Sequence, residues 1–433
     1  MERRGMKTPS ALRNELNTGA LDSRLRTVYG CETAALAPKK ERLLALIDEF
    51  SKAFPGSGSV GLYSGPGRTE LGGNHTDHQH GHVLAAAVDL DAVACAGPNG
   101  TRTVRILSAG YPEVVVDLDC LTPQESERES SAALVRGIAA RIAALGYQLG
   151  GFNACVSSTV LGGSGLSSSA AYEVLIGVVF NDLFCGQKLT MVQIAQIGQY
   201  AENVFFGKPC GLMDQLTSAV GGVVSIDFQD PANPVVEQVS CDPTAYGYEL
   251  CIIDSGADHA DLTAEYAAIP GEMCAVARCF GKQFLREVNE ADFWQNFSSV
   301  RATAGDRALL RAIHFFTDNA LAPRQAQALR AGDFELFLQL VRRSGESSAL
   351  HLQNLSCASR PQEQAVPLAI AAAEHLLAGR GAVRVHGGGF AGTIQAYVPL
   401  EETETFRAGM ESLLGKGCCH FLAIRPVGGA VLA

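Results

Sequence analysis

The stretch LGGSGLSSSAA, residues 161–171, decides the fold of this chain. It follows the segment 152–160, in which apolar residues alternate with polar ones, a pattern typical of a half-buried strand. It precedes Ala170–Val179, in which apolar residues recur at the spacing of a helix. The sequence therefore predicts a strand, a Gly/Ser-rich loop and a buried helix in direct succession.

This loop has the chemistry of a phosphate-binding site. Small residues let backbone N–H groups point into a concavity, and the N-terminus of the following helix adds partial positive charge. The alternative is a tight turn whose serines cap the helix. The loop is not a Walker A sequence, and the Gly56-x-Gly58-x-x-Gly61 pattern precedes a strand rather than following one, which predicts a turn.

A second segment, Gly65 to His82, reads GPGRTELGGNHTDHQHGH and is dense in hydrogen-bonding side chains. Such a set suits a sugar, whose hydroxyls need both donors and acceptors. Two alternatives stay open. The four histidines could bind a metal ion, or the segment could be a solvated loop.

Two further segments carry candidate chemistry. Glu202 and Asp214 lie twelve residues apart around a helix end and a glycine turn. One could bind Mg²⁺ and the other accept a proton from a hydroxyl, or they could be a surface acid and a helix cap. The run Gly387–Gly389 indicates close approach of the backbone to a ligand or another loop, or a hairpin turn.

In this order, the four segments resemble the GHMP small-molecule kinases, and the galactokinase family within them. The matching motifs are Gly-Arg with His-Thr-Asp, Gly-Leu-Ser-Ser-Ser-Ala-Ala, Cys-Gly-x-Met-Asp-Gln and the late Gly-rich run. The resemblance covers about residues 60 to 400. It implies an α+β fold with an N-terminal domain like ribosomal protein S5 domain 2 and a ferredoxin-like C-terminal domain. We place these domains at 1–225 and 226–433, with the active site in the cleft between them.

The resemblance also implies the reaction, the transfer of phosphate from ATP, with Mg²⁺, to the anomeric hydroxyl of galactose. Asp214 would accept or orient the hydroxyl proton, and Arg68 would keep Asp214 ionised. Ser169 and Glu202 would hold Mg²⁺. The implied sugar contacts are Asn74, His75, Asp77, Gly211 and Tyr266. The implied ATP-binding residues are Gly162, Gly163, Ser164, Gly165, Leu166, Ser167, Ser168 and Ser169.

The chain departs from the galactokinase pattern at two positions. It has Asn74 and His78 where Gly-Glu-His-Thr-Asp-Tyr is usual. A glutamate at 74 would repel a sugar that carries a C6 carboxylate, whereas asparagine would not. Galacturonate is therefore an alternative substrate, and a non-catalytic sensor of sugar and ATP is a further alternative. The N-terminus is about 30 residues longer than the resemblance leads one to expect.

Composition narrows the range of partners. With 34 Lys and Arg against 45 Asp and Glu, the net charge is -11, which disfavours binding to nucleic acid. There is no signal peptide pattern and no run of about 18 apolar residues, so we expect no membrane association. The 13 cysteines show no C-x-x-C pair, as expected for reduced thiols in the cytoplasm. We expect a monomer or weak homo-oligomer.

Overall fold

A computed structural model of this α+β chain describes residues 6–160, 162, 165–257 and 262–433. The helices are α1 Pro9–Thr18, α2 Asp22–Tyr29, α3 Ala37–Ala53, α4 Ser131–Ala144, α5 Ser168–Cys185, α6 Met191–Tyr200, α7 Met213–Val220, α8 Thr263–Cys279, α9 Glu290–Gln295, α10 Phe297–Ala304, α11 Asp306–Arg330, α12 Phe334–Ser347, α13 Ala365–Leu377 and α14 Thr403–Leu414. The strands are β1 Gly61–Gly72, β2 His82–Pro98, β3 Thr103–Ser108, β4 Val114–Asp117, β5 Phe152–Ser158, β6 Val223–Asp227, β7 Val235–Val239, β8 Tyr248–Asp254, β9 Ala382–Val385, β10 Thr393–Pro399, β11 Cys419–Leu422 and β12 Ala430–Val431.

The first sheet has the strand order β12-β1-β2-β5-β3-β4, with β6 paired to β2 and β7 to β6. Its pairs are antiparallel except β3 with β5, which is parallel. Side chains alternate between its faces: Leu62 and Val93 join the core under the N-terminal helices, while Tyr63 and Ala94 join the core under α5. The N-terminal extension therefore covers an apolar face of the sheet that would otherwise be exposed.

The second sheet has the order β11-β8-β10-β9, with every pair antiparallel. Helices α13 and α14 share a hydrophobic core with it. Residues 386–392 connect β9 to β10, so the late Gly-rich run lies in a hairpin connection. Mixed helix and sheet in two such layers is the predicted fold class.

The two sheets are joined by buried polar contacts. The guanidinium of Arg384 on β9 lies 2.7 Å from the carboxylate of Glu70 on β1, and both side chains are buried. Gln395 on β10 donates to the Thr69 hydroxyl at 2.8 Å. The predicted domain limits, 1–225 and 226–433, stay a prediction.

Strands β6, β7 and β12 all pair within the first sheet, although β7 and β12 come after residue 225 in the sequence.

One helix among the described residues, α5, is long and apolar enough to cross a membrane. It packs against β1 and β2, and 72% of its apolar window is buried inside the protein. Its hydrophobicity is therefore that of a core helix.

Candidate active site

A bidentate ion pair joins Arg68 and Asp214. Asp214 lies in the first turn of α7, where a carboxylate interacts favourably with the helix dipole. Arg68 on β1 donates from Nε to Oδ1 at 2.6 Å and from Nη2 to Oδ2 at 2.7 Å. The Asp214 side chain keeps 30% of its surface exposed, whereas Arg68 keeps 8%. The carboxylate is thus fixed in orientation and still reachable by a substrate.

Electrostatics keep Asp214 ionised. Burial acts to raise the pKa of Asp214, but the charge of Arg68 and the hydrogen bonds from Arg68 and Ser167 outweigh it, so the pKa lies below its ordinary value. Ser167 has left-handed backbone geometry, with φ of 55°, and donates its hydroxyl proton to Asp214 rather than capping α5. The loop and the carboxylate are therefore in direct contact.

The Gly/Ser loop is described in part. Gly163 and Ser164 lie outside the described residues, and Gly162 lies in an exposed turn. Gly165 has φ of +71°, and a Cβ there would lie 3.0 Å from Nδ1 of His386. Leu166 is completely buried, while Ser168 and Ser169 begin α5. The loop thus rests on the β9–β10 connection, and the predicted helix follows it directly as α5.

Ser169 and Glu202 are brought together in a geometry that suits Mg²⁺. Glu202 lies in a π-helical turn, Ala201–Phe206, that extends α6, and its Oε1 accepts a hydrogen bond from the Ser169 hydroxyl at 3.3 Å. Neighbouring oxygens around an octahedral Mg²⁺ lie about 3 Å apart, because each sits about 2.1 Å from the ion. Mg²⁺ favours one or two protein oxygens completed by water and phosphate, so these two residues fit the ion.

Four of the predicted sugar contacts form two pairs of contacts: His75 and Tyr266 meet the backbone of Gly388 and Gly389, and Gly211 meets Asp77. His75 donates from Nε2 to the Gly388 carbonyl at 3.1 Å, and Tyr266 donates to the Gly389 carbonyl at 2.8 Å. Gly211 packs on Asp77 so closely that a Cβ would lie 2.0 Å from Oδ2. The Gly-rich run was predicted to lie close to a ligand or to another loop. In the structure, side chains from other segments approach its backbone.

Asn74 is held differently from the other candidates. Its side chain is completely buried. The amide nitrogen donates to the Gly387 carbonyl at 2.7 Å and to the Glu70 carboxylate at 3.1 and 3.2 Å. The amide oxygen accepts from Asn354 at 2.9 Å. Both polar atoms of the Asn74 side chain are therefore hydrogen-bonded within the protein. The contact of Asn74 with the sugar stays a prediction, and it would have to replace one of these bonds.

The four histidines of the second segment face different partners. His80 stacks on Phe284 with ring centroids 3.8 Å apart, and His82 lies 3.1 Å from Asp227. His75 and His78 lie 5.9 Å apart, centroid to centroid. Among the described residues, no cluster of three or more His, Cys, Asp or Glu side chains could hold a metal. The segment is a short 3₁₀ turn at Asp77–Gln79, with β2 beginning at His82, rather than one continuous strand.

Two family models match the chain where these residues lie. The GHMP kinases N terminal domain matches residues 133–222, which hold the loop, Glu202 and Asp214. The galactokinase galactose-binding signature matches residues 48–98, which hold Arg68 and Asp77. The chain is a sugar kinase that carries a GHMP kinases N terminal domain and the galactokinase galactose-binding signature. Both matches confirm the predicted resemblance.

Solved structures share the fold of this kinase. Galactokinase from Lactococcus lactis, complexed with galactose, is 24% identical, with 90% of this chain and 99% of that chain covered and a TM-score of 0.77. Mevalonate kinase from L. major, in complex with R-mevalonate, is 13% identical, with 85% and 97% covered and a TM-score of 0.56. A D-glycero-D-manno-heptose 1-phosphate kinase from Bacteriodes thetaiotaomicron is 16% identical, with 86% and 98% covered and a TM-score of 0.57. The predicted two-domain GHMP kinase fold is confirmed.

Sequence reasoning missed several residues that the site uses. Glu173 and Gln215 lie behind Glu202, and His386 lies behind Gly165. Glu173 could have been found from the sequence, because it is an acidic residue within the apolar run of α5. Gln215 ends the Cys-Gly-x-Met-Asp-Gln motif and His386 directly precedes Gly387, yet nothing in the local pattern says which way their side chains point.

Proposed function

We propose that this kinase transfers the γ-phosphoryl group of ATP to the anomeric hydroxyl of galactose, giving galactose 1-phosphate and ADP. The observation that carries the proposal is the Arg68–Asp214 pair, held at the edge of the Gly/Ser loop by Ser167. A fixed, ionised carboxylate beside a phosphate-binding loop is the arrangement that a hydroxyl needs in order to attack a phosphoryl group.

In the proposed reaction, the anomeric oxygen bonds to the γ-phosphorus as the bond from that phosphorus to the bridging oxygen breaks. The hydroxyl proton passes to Asp214, and ADP leaves with the bridging oxygen. An aspartate with a lowered pKa is a weak base. The transition state of phosphoryl transfer is loose, however, so little deprotonation is required early. Asp214 therefore acts mainly by orienting the hydroxyl and then accepting its proton.

The remaining residues position the reactants. Arg68 stabilises the negative charge that develops next to Asp214. Ser169 and Glu202 would hold Mg²⁺, which supplies neutralising charge to the β- and γ-phosphates. His75 and Asp77 would bond sugar hydroxyls, with Gly211 and Tyr266 beside them. The loop from Gly162 to Ser169 would bind the phosphates through backbone N–H groups.

Galacturonate is the alternative substrate because position 74 carries asparagine. The carboxylate of Glu70 lies within hydrogen-bond distance of that asparagine, paired with Arg384. The Glu70 carboxylate therefore remains next to position 74 even though that position carries asparagine. The asparagine does not by itself create a binding site for the carboxylate of a sugar acid. Neutral galactose is the substrate that we propose.

The direct test mixes the protein with ATP, Mg²⁺ and galactose, galacturonate or no sugar, and follows ADP release. We expect ADP only with galactose, and about a thousandfold lower turnover for Asp214→Ala with ATP binding retained. Asp292→Asn, at an exposed acid in the first turn of α9, is the matched control and should keep full turnover. A preference for galacturonate would overturn the substrate, and ATP binding without ADP release would indicate a sensor.

A further inference from the structure

Gln215 occupies a completely buried position between two carboxyl groups. Its Nε2 lies 2.8 Å from Oε2 of Glu202 and 3.0 Å from Oε2 of Glu173. A side-chain amide nitrogen has two hydrogens to donate, and these two acceptors use both. The other oxygen of Glu202 faces the Ser169 hydroxyl. Gln215 therefore bonds the Glu202 oxygen that does not face Ser169.

Glu202 needs such a partner because of where it lies. It belongs to the π-helical turn at the end of α6, and such turns redirect side chains away from the regular helical pattern. The Glu202 side chain is almost fully buried beside the acid Glu173. An amide N–H between the two carboxyl groups supplies the hydrogen bonds that burial would otherwise deny them.

The backbone around this contact fits closely. A Cβ at Gly198 on α6 would lie 3.0 Å from Oε2 of Glu173 and 3.3 Å from Cγ of Gln215. The absence of a side chain at Gly198 therefore lets α6 close over both side chains. The chain Glu173–Gln215–Glu202 thus draws one member each from α5, α7 and the π-helical turn that extends α6.

We propose that Gln215 is a positioning residue for the metal site: it fixes the Glu202 carboxylate toward Ser169, and Glu173 fixes Gln215 from behind. This inference rests on the proposed function, in which Ser169 and Glu202 hold Mg²⁺. Because Asp214 and Gln215 are neighbours, one turn of α7 orients both the hydroxyl-binding carboxylate and the metal-binding carboxylate. Partner residues of this kind around a metal ligand typically contribute 10- to 100-fold in metal affinity or activity.

The test compares Gln215→Met with Gln199→Met. Methionine keeps the length and burial of the side chain but cannot donate. Gln199 is the matched control, because its amide donates to the Cys210 carbonyl at 3.2 Å and not to Glu202. Binding of Mn²⁺ in the presence of a non-hydrolysable ATP analogue is measured by electron paramagnetic resonance. The Mg²⁺ concentration for half-maximal turnover and the KM for galactose are measured alongside.

For Gln215→Met we expect Mn²⁺ affinity to fall by roughly 10- to 100-fold, with the Mg²⁺ requirement raised in parallel and the KM for galactose within twofold of the unmodified protein. Gln199→Met should match the unmodified protein in all three. If Gln215→Met does not fold, Gln215→Asn replaces it, since its shorter amide stays polar but ends one carbon short of Glu202, and the same loss is expected.

Unchanged Mn²⁺ affinity in a folded Gln215 variant would overturn the inference while leaving the kinase intact. An unmodified protein that releases no ADP with any sugar would instead overturn the proposed function. A general loss, in which Mn²⁺ affinity, the KM for galactose and the melting temperature all change together, would assign Gln215 a purely structural role and also overturn the inference.

Discussion

The amide of Asn74 donates to both oxygens of the Glu70 carboxylate, at 3.1 and 3.2 Å, and both side chains are buried. The two residues lie four positions apart, on either side of the turn that ends β1. Arg384 bonds the same carboxylate at 2.7 Å. The residue at position 74 is therefore one member of an internal polar network, and a change there affects stability as well as any contact with substrate.

Asn74→Glu is expected to destabilise the protein. The new carboxylate would lie against Glu70 in a buried site with one arginine between them, and like charges there cost about 2–5 kcal/mol. Thermal unfolding measures the loss. The exchange variant Glu70→Asn with Asn74→Glu keeps a single carboxylate in the pair and should recover part of it, so equal stability of the single and exchange variants would contradict this reading.

The same variant tests the sugar contact of Asn74. If Asn74 touches the sugar, Asn74→Glu shifts the specificity constants toward galactose and away from galacturonate. The ratio of kcat/KM for the two sugars is the measurement. An unchanged ratio in folded protein would place Asn74 outside the sugar pocket. The hydrogen bonds that Asn74 makes within the protein favour that outcome.

The acid limb of the pH–rate profile reports on Asp214. Because Arg68 holds the pKa of Asp214 below its ordinary value, Asp214 stays ionised from about pH 5 upward, and its protonation causes no loss of kcat/KM in that range. In Arg68→Leu, burial acts without the charge and hydrogen bonds of Arg68, so the limb should move to higher pH. A limb that stays in place while kcat falls would show that Arg68 acts on the phosphate alone.

Gly211→Ala should weaken sugar binding selectively. A Cβ at Gly211 would lie 2.0 Å from Oδ2 of Asp77, so the carboxylate has to move. A hydrogen bond to a charged group contributes about 1.5–3 kcal/mol, so the KM for galactose should rise roughly 10- to 100-fold. The KM for ATP should not change. Gly58→Ala is the control, since no atom lies within 4 Å of its added Cβ.

Buried His386 should make stability depend on pH. Burial, followed by the charges of Arg68 and Arg384, lowers the pKa of His386 to about 3. Between about pH 3 and 6.5 the unfolded state binds one more proton at this residue, so stability falls as pH falls, by up to about 1.4 kcal/mol per pH unit. His386→Gln should flatten this slope in unfolding measurements, whereas His375→Gln, at an exposed position, should not.

Local sequence patterns predicted the elements on both sides of the Gly/Ser loop. Alternation over 152–160 predicted β5, and helical spacing after it predicted α5. The helix α6 continues as the π-helical turn Ala201–Phe206, and that turn could not be predicted from the sequence because inserting one residue leaves the apolar periodicity nearly unchanged. Strand β12 was also missed, since two residues carry no periodic signal.

The sequence by itself determined the resemblance to the GHMP kinases, because motif identity and order survive without coordinates, and it predicted the roles of Arg68, Ser169, Glu202 and Asp214. Only the tertiary structure decided which of the polar residues face one another. It bonded Asn74 to Glu70, and it placed Gln215 between Glu173 and Glu202. These partners lie on elements that are distant in sequence and are brought together by core packing. The spacing of residues within one element carries no information about such contacts.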